Sequence, residues 1–257
     1  MRVVKKALER AIQNQEFLLY YQPQFTLASS SILGVEALLR WQYPKKGLLF
    51  PAQFIPLAEE TGLITHLGAW LLEAVCRQNK IWQEHGLMPL QISVNVSPKQ
   101  IQQKKFVVFI KNLLKRYHLP PQYLELELTE NIILHQDKNI IRSICRLKEL
   151  GVLIALDDFG TGYSSISHLK KIPIDRIKID KTYIQKMHIN RDDAAIVKAI
   201  IALASALNIQ VLAEGVESQA QLELLLSQGC QAVQGFYFSK PLSPKKVEKF
   251  LLLHQNK

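Results

Sequence analysis

Seven positions where strand-like apolar runs end carry polar side chains, and most of these are carboxylates or amides. They are Glu36, Asn95, Glu127, the pair Asp157–Asp158, Lys178, Glu214 and Gln234. A single polar residue after a strand usually marks only the start of a solvated loop. Seven in succession weaken that interpretation, because the carboxyl ends of barrel strands converge on one face, where active sites are built.

Metal-assisted phosphoester hydrolysis is the chemistry that this pattern favours. Carboxylates buried close together raise one another's pKa values or destabilise the fold, and divalent cations resolve that conflict. Glu, Asp and Asn offer oxygen ligands, which suit Mg²⁺ or Mn²⁺ rather than zinc or copper. About four or five such ligands exceed what one Mg²⁺ takes from protein, so two metal ions are expected. Paired metals activate water and neutralise the charge of a transferring phosphoryl group.

Charge and motifs narrow the function further. The chain has 32 Lys+Arg against 22 Asp+Glu, a formal net charge of +10, which predicts an anionic partner: nucleic acid, a membrane surface or a phosphorylated small molecule. No HExxH, GxxxxGK[ST] or GxSxG motif is present. Gly160 and Gly162 follow a strand, but a third glycine at the dinucleotide-binding spacing is absent.

Two periodicities alternate along the chain: apolar, β-branched runs of strand length and longer runs with helical spacing. The strand candidates are Phe17–Leu27, Ile32–Trp41, Leu90–Val96, Tyr123–Leu128, Val152–Asp157, Arg176–Ile179, Gln210–Ala213 and Ala232–Phe236. The helix candidates are Gly62–His85, Pro98–Tyr117, Asp137–Leu150, Asp192–Leu207, Ser218–Ser227 and Ser243–Leu253.

The order of these elements predicts one α/β unit. The first two strands adjoin through the short turn Ala28–Ser31 and predict a hairpin, whereas the later strands follow strand–helix–strand order and predict a parallel sheet. Eight strands in 257 residues favour a closed TIM-like (β/α)8 barrel, with an open doubly wound sheet as the alternative. We expect a single domain over residues 1–257, with a short amphipathic helix over 1–16 and the barrel from 17 to 257.

Composition excludes disorder and a membrane span. Hydrophobic residues make up 48% of the chain, enough to fold. The apolar stretch near Ala194–Leu207 contains Lys198 and is shorter than the roughly 20 residues of a membrane helix. Cys76, Cys145 and Cys230 form no CxxC, which argues for a reducing compartment. We expect a cytoplasmic protein, or the cytoplasmic domain of a larger, membrane-anchored one, with no membrane contact of its own.

Short sequence blocks occur in a fixed order between residues 17 and 242. They are YYQP at 20–23, EALLRW at 36–41, FIPLAE at 54–59, SVNVS at 93–97, ELTE at 127–130, DDFGTGYSS at 157–165, IKID at 177–180, AEGVE at 213–217 and QGF at 234–236. Together they resemble the EAL domain, the bacterial cyclic di-GMP phosphodiesterase family. Two departures from that family, Gln231 and the turn Ser29–Ser31, lie away from the candidate ligands.

The resemblance implies a fold and a reaction. The fold is a modified TIM barrel whose first strand runs antiparallel to the others, in agreement with the predicted hairpin. The reaction is hydrolysis of one phosphodiester bond of cyclic di-GMP to linear pGpG, with two Mg²⁺ or Mn²⁺ ions. A homodimer is expected by analogy. The implied metal ligands are Glu36, Asn95, Glu127, Asp157 and Asp158.

The resemblance also implies roles for individual residues. The implied catalytic residues are Glu36, Lys178 and Glu214, where Lys178 holds the attacking water and Glu214 orients Lys178 and the waters. Glu130 is the implied anchor of the loop 158–165. The implied substrate-binding residues are Gln22, Leu38, Arg40, Asp158 and Gln234.

Structural alternatives remain for three of these residues. Arg40 could pair with a neighbouring carboxylate instead of a substrate phosphate. Lys178 could be only a counter-ion for Asp157 and Asp158. Glu130 could be a carboxylate favoured at a helix N-terminus.

Alternatives remain for the function as well. Many EAL domains have lost ligands and act as cyclic di-GMP receptors or protein-interaction modules, but every expected ligand is present here, which favours an enzyme. The lysines within Lys99–Lys115 and Lys240–Lys249 lie on amphipathic helices without interleaved aromatic residues. Such charges are usually a solvated face, so nucleic-acid binding is not expected.

Overall fold

The computed structural model describes residues 2–44, 46–130, 132, 137–160, 169 and 172–255. In chain order its strands are β1 (Phe17–Thr26), β2 (Ile32–Tyr43), β3 (Gly47–Leu49), β4 (Gln91–Asn95), β5 (Leu124–Thr129), β6 (Leu153–Phe159), β7 (Arg176–Ile179), β8 (Gln210–Glu214) and β9 (Ala232–Gln234). The helices with described bounds are α1 (Arg2–Gln13), α2 (Ile55–Glu60), α3 (Ile64–Glu84), α4 (Pro98–Ile101), α5 (Phe106–Arg116), α6 (Lys138–Glu149), α7 (Lys181–Lys186), α8 (Arg191–Ala206), α9 (Gln219–Ser227) and α10 (Pro244–Gln255).

The sheet closes into a barrel. Its strand order is β1-β9-β8-β7-β6-β5-β4-β2, and β1 pairs in turn with β2. β1 runs antiparallel to both of its neighbours, and each other neighbouring pair in the barrel is parallel. β3 lies outside the ring on the end of β2. The predicted closed barrel and its antiparallel first strand are confirmed, and the open sheet is wrong.

The eight predicted strands are all present, with bounds within two residues of the prediction. β3 was not predicted, because a strand of three residues is too short to show an alternation of apolar and polar side chains. The short helices α2 and α7 were also not predicted. No helix in the described part of the chain is long and apolar enough to cross a membrane.

The single helix predicted over Pro98–Tyr117 is wrong, since α4 and α5 divide this segment. Ile101 and Phe106 are both buried, although five residues would separate them by about 140° on one continuous helix. A break through the polar residues 102–105 lets each helix turn its own apolar side to the core.

Alternation along the strands places polar side chains at two successive levels inside the barrel. β5 contributes Glu125 and Glu127, and β7 contributes Arg176 and Lys178; all four are buried. Glu127 and Lys178 lie nearer the carboxyl ends of the strands, the end that carries the active site in such barrels.

Candidate active site

The Lys178 ammonium group lies at the centre of a group of polar side chains that we call the carboxyl-end cluster: Glu36, Asn95, Glu127, Asp157, Asp158, Lys178 and Glu214. Its Nζ is 2.7 Å from Glu214 Oε1, 2.8 Å from Glu127 Oε1 and 3.1 Å from Asp157 Oδ1. Glu36 Oε2 lies 3.8 Å away. One cation on β7 therefore faces four carboxylates that come from β2, β5, β6 and β8.

Asn95 at the end of β4 joins two of these carboxylates. Its Nδ2 donates to Glu36 Oε1 at 3.0 Å and to Glu127 Oε2 at 2.9 Å. The parallel register sets Asn95 directly opposite Glu127 on β5. Because the amide nitrogen is used by the carboxylates, the amide oxygen is the atom left for a cation.

The irregular end of β6 presents Asp157 and Asp158 side by side. Asp158 has a left-handed backbone (φ +54°), so its side chain diverges from the regular alternation of the strand. Glu130 Oε2 accepts a hydrogen bond from the Gly160 N–H at 3.1 Å, and the Glu130 N–H donates to the Asp157 carbonyl at 3.2 Å. Glu130 thus contacts the start of the loop that it is predicted to anchor, whereas residues 161–165 of that loop lie outside the described residues.

A chain of glutamine amides connects Glu36 on β2 to the neighbouring strands β1 and β9. Gln234 Nε2 donates to Glu36 Oε2 at 2.5 Å and to Gln22 Oε1 at 3.1 Å. Gln234 Oε1 accepts from Gln24 Nε2 at 3.0 Å, and Gln22 Nε2 donates to the Ser239 carbonyl at 3.1 Å. These bonds fix the rotamers of two predicted substrate-binding residues, Gln22 and Gln234.

Burial and mutual repulsion shift the pKa values of the acidic side chains. Burial raises the pKa of Glu214 to about 8, against the opposing charge of Lys178. Burial also raises the pKa of Glu127 well above its usual value, again against Lys178. Burial and then the charge of Asp157 raise the pKa of Asp158 to about 6. Burial alone would lower the pKa of Lys178, but the surrounding carboxylates raise it well above its usual value, so the amine stays charged.

The donor set fits divalent cations that prefer oxygen ligands. Asp157, Asp158 and Glu214 each place one ligand atom within 4.8 Å of the others. The cluster holds five carboxylates and one ammonium group, so it carries surplus negative charge. Burial, and after it the neighbouring carboxylates, raise the pKa values of Glu127, Asp158 and Glu214 even though the ammonium group lowers them. Mg²⁺ or Mn²⁺ would supply positive charge and accept carboxylate and amide oxygens as ligands.

A cavity of about 640 Å³ adjoins the carboxyl-end cluster. Leu38, Asn95 and Asp158 line it, so the cavity reaches the predicted metal ligands. Much of the remaining wall is apolar and comes from residues 51–56 and from α3. A concave, mostly apolar pocket of this size with a few polar groups at one end is typical of a small-molecule site.

Arg40 lies on β2, farther along the strand than Glu36 and Leu38. Its guanidinium carbon lies 4.7 Å from the centre of the Phe50 ring, and its Nη1 donates to the Leu39 carbonyl at 2.8 Å. Among the residues that the structure describes, no carboxylate comes within 4 Å of the Arg40 guanidinium group. The salt bridge considered for Arg40 is therefore not observed there, and its charge faces the aromatic ring.

A second polar group lies one level below, at the amino ends of the strands, and we call Ser93, Glu125, Arg176 and Gln210 the amino-end cluster. Arg176 Nη1 donates to Glu125 Oε1 at 2.8 Å, and Ser93 Oγ donates to the same oxygen at 2.7 Å. Arg176 Nη2 donates to Gln210 Oε1 at 3.1 Å. Arg176 and Glu125 are almost fully buried. This cluster carries one positive and one negative charge.

Residues 5–241 match the family model of the EAL domain. The chain belongs to the EAL domain family. It is 43% identical over 245 residues to the signaling protein YkoW of Bacillus subtilis (strain 168), and that alignment covers 95% of this chain and 30% of YkoW. It is 41% identical over 240 residues to the bifunctional diguanylate cyclase/cyclic di-GMP phosphodiesterase MucR of Pseudomonas aeruginosa, and that alignment covers 93% of this chain and 35% of MucR. The chain thus spans about a third of the length of these curated relatives.

Solved structures of EAL domains resemble this one closely. The structure of the PaMucR phosphodiesterase in complex with c-di-GMP superposes with a TM-score of 0.91 at 40% identity. That alignment covers 96% of this chain and the whole of the PaMucR chain. The likeness therefore extends across the whole barrel.

The EAL barrel brings most of the predicted site residues together. The five implied metal ligands meet around Lys178 and Glu214, and Leu38 lines the adjoining cavity. Gln234 donates to Glu36 and also to Gln22. Arg40 lies apart from the cluster, against Phe50. The roles assigned to these residues stay predictions.

Three residues that contact this EAL site were not predicted from the sequence: Gln24, Phe50 and Tyr183. Gln24 lies two residues after Gln22 on β1, so the strand period alone could have indicated it. Phe50 contacts Arg40 and Tyr183 contacts Gly160 from distant elements. No spacing rule connects those pairs, so the sequence held no signal for them.

Proposed function

We propose that this EAL domain hydrolyses one phosphodiester bond of cyclic di-GMP and releases linear pGpG. The observation that carries the proposal is the buried Lys178 ammonium group within 4 Å of carboxylates from four strands, beside a cavity. MucR is named a cyclic di-GMP phosphodiesterase, and the PaMucR phosphodiesterase structure contains c-di-GMP. Those names support the same substrate for this chain.

Two Mg²⁺ or Mn²⁺ ions are the proposed cofactors. The ligands would be Glu36, Asn95, Glu127, Asp157 and Asp158, a set that offers oxygen atoms and surplus negative charge. When bound, such ions lower the pKa of water and neutralise charge on a phosphoryl group. Burial, and after it the neighbouring carboxylates, raise the pKa values of Glu127 and Asp158. A bound cation would stabilise the charged forms that burial and repulsion disfavour, which supports cation binding.

Lys178 would take part in the reaction as a fixed cation. Its raised pKa keeps the ammonium group protonated, so it can donate to the attacking water and to developing negative charge on the phosphoryl oxygens. Glu214 lies 2.7 Å from Lys178 Nζ and would orient that ammonium group. Glu36 accepts from both Asn95 and Gln234, which would hold its carboxylate in one orientation.

Substrate contacts would come from the cavity side. Leu38 and Asp158 line the cavity. Gln234 donates to both Glu36 and Gln22 beside the carboxyl-end cluster. The planar donor fork of Arg40 suits the oxygens of a phosphate. Stacking on Phe50 would restrict the guanidinium group before the substrate binds.

A receptor that binds cyclic di-GMP without hydrolysing it is the second candidate. The complete set of predicted ligands favours the enzyme. We expect wild-type protein with Mn²⁺ to convert cyclic di-GMP to pGpG, and Glu36→Gln to slow that conversion by about 10³-fold or more. Chromatography of the nucleotides measures the reaction, and titration calorimetry measures binding. Tight binding with no pGpG in the wild type would favour the receptor.

The remaining expectations concern the whole protein. We propose that it forms a homodimer and acts in the cytoplasm, and that nucleic acid is not its partner. Light scattering during size-exclusion chromatography measures the oligomeric state. Salt-dependent binding to a DNA duplex at micromolar protein would contradict the last point.

A further inference from the structure

The chain turns at the end of β6, and two residues of this turn have left-handed backbone. Asp158 has φ +54° and Gly160 has φ +99°. A side chain on left-handed backbone costs free energy, so the surroundings must hold Asp158 in place. At Gly160 a Cβ would also lie 3.0 Å from Tyr183 Cε2, so the close approach of this ring favours glycine as well.

Two side chains hold the polar groups of Gly160. Glu130, which follows β5, accepts from the Gly160 N–H at 3.1 Å. The Tyr183 hydroxyl on α7 donates to the Gly160 carbonyl at 2.5 Å. Because both the amide and the carbonyl of one residue are bonded to different elements, the orientation of the backbone just after Asp157 and Asp158 is determined.

Tyr183 is itself held by the segment that carries Lys178. β7 ends at Ile179, and Asp180 caps α7 by accepting from the Thr182 N–H at 2.9 Å. The Tyr183 ring is partly buried and packs against the core. One short segment therefore places both the central ammonium group of the cluster and the phenol that bonds the neighbouring turn.

We propose that Tyr183 is a positioning residue whose hydroxyl, through Gly160, sets the carboxylates of Asp157 and Asp158 for divalent cations. The consequence for turnover rests on the proposed function, whereas the consequence for cation binding does not. Loss of the hydroxyl frees the Gly160 carbonyl and lets the turn relax toward less strained backbone, which moves Asp158 away from Asp157.

The variant Tyr183→Phe tests this role, because it removes one oxygen and keeps the ring. Tyr117→Phe is the matched control: Tyr117 Oη donates to Glu73 Oε1 at 3.2 Å at the end of α5, on the outer helical layer. Each protein is stripped with EDTA, and its thermal unfolding is followed during titration with Mn²⁺ in the absence of nucleotide. Hydrolysis of cyclic di-GMP is measured separately in the same preparations.

We expect Tyr183→Phe to raise the Mn²⁺ concentration for half-maximal stabilisation by about threefold to tenfold, the effect of one lost hydrogen bond. Tyr117→Phe should leave that midpoint unchanged. Saturating Mn²⁺ should restore most of the turnover of Tyr183→Phe, with KM for cyclic di-GMP close to that of the wild type. A wild type that binds Mn²⁺ without hydrolysing cyclic di-GMP, together with a raised midpoint in Tyr183→Phe, contradicts the proposed function and supports the positioning role.

Equal Mn²⁺ midpoints in Tyr183→Phe and the wild type overturn the proposal, even where hydrolysis proceeds. A Tyr183→Phe protein that is less stable in EDTA but has an unchanged midpoint also overturns it, because the hydroxyl then serves packing alone. The proposal is also overturned if Tyr117→Phe shifts the Mn²⁺ midpoint as far as Tyr183→Phe does.

Discussion

The barrel interior holds two polar clusters, one pleat apart: the amino-end cluster has matched charges, and the carboxyl-end cluster has surplus negative charge. In the amino-end cluster Arg176 meets a single carboxylate, Glu125, and neutral Ser93 and Gln210 complete its hydrogen bonds. In the carboxyl-end cluster Lys178 meets four carboxylates within 4 Å, and Asp158 lies beside them. Strand β7 supplies both cations and β5 supplies a carboxylate to each level.

This difference in charge indicates that the amino-end cluster is part of the fold and that the carboxyl-end cluster is a binding site. A buried pair with matched charge is satisfied by its own members, and loss of one member leaves an unpaired buried charge. A cluster with surplus carboxylates is satisfied only by ligands that enter from outside. The amino-end cluster should therefore govern stability, and the carboxyl-end cluster should govern cation binding and turnover.

The two cations of β7 give the largest expected contrast. Lys178→Met should lower turnover by about 10³-fold or more, because it removes the donor at the centre of the site. Arg176→Met should lower the free energy of unfolding by about 3–5 kcal/mol, because Glu125 is left buried and unpaired. Its turnover per folded molecule should change little. Urea denaturation and initial rates measure the two effects, and equal losses of turnover would remove the distinction between the clusters.

The two carboxylates of β5 give the next contrast, in metal-free protein. Glu125→Gln should lower the free energy of unfolding by about 3 kcal/mol, since Arg176 loses its only carboxylate partner in the described residues. Glu127→Gln should leave it unchanged or raise it, because burial and repulsion already disfavour the charged form of Glu127. Denaturation in EDTA checks this, and a larger loss for Glu127→Gln would contradict it.

The polar residues of β4 give the smallest contrast. Ser93→Ala should lower the free energy of unfolding by about 1.5 kcal/mol, the value of a hydrogen bond to a charged group, and should leave Mn²⁺ binding unchanged. Asn95→Ala should weaken Mn²⁺ binding by about tenfold or more. It removes two hydrogen bonds to carboxylates, so its metal-free stability should fall at least as much as that of Ser93→Ala. Calorimetric titration with Mn²⁺ separates the two variants. Weakened binding in Ser93→Ala would show that the two levels are coupled.

The sequence predicts the carboxyl-end cluster better than the amino-end cluster for a physical reason. Along β5 glutamate alternates with leucine, and such a strand usually turns its polar side to solvent. Here Leu124, Leu126 and Leu128 are buried on one side while Glu125 and Glu127 face the barrel interior. The period shows which residues share a face, but the direction of that face depends on closure of the sheet. Glu127 was indicated because it lies at a strand end, and Glu125 was not.

Contacts between distant elements mark the other limit of prediction. β7 was predicted residue for residue, because Arg176–Ile179 is bounded clearly by polar and turn residues. The break between α4 and α5 was missed, since helical spacing alone does not show that Ile101 and Phe106 bury different sides. The bond from Tyr183 to Gly160 depends on the packing of α7 beside the β6 turn, which no local pattern encodes.

The measurement that tests the central claim most directly is the rate of cyclic di-GMP consumption by EDTA-treated wild-type protein as Mg²⁺ or Mn²⁺ is added back. We predict no turnover without the cation, a saturable increase with it, and pGpG as the product. Undiminished turnover in EDTA would contradict the claim that the carboxyl-end cluster acts through bound cations. Absence of turnover at every cation concentration, in protein that binds the nucleotide, would contradict the claim that the site is catalytic.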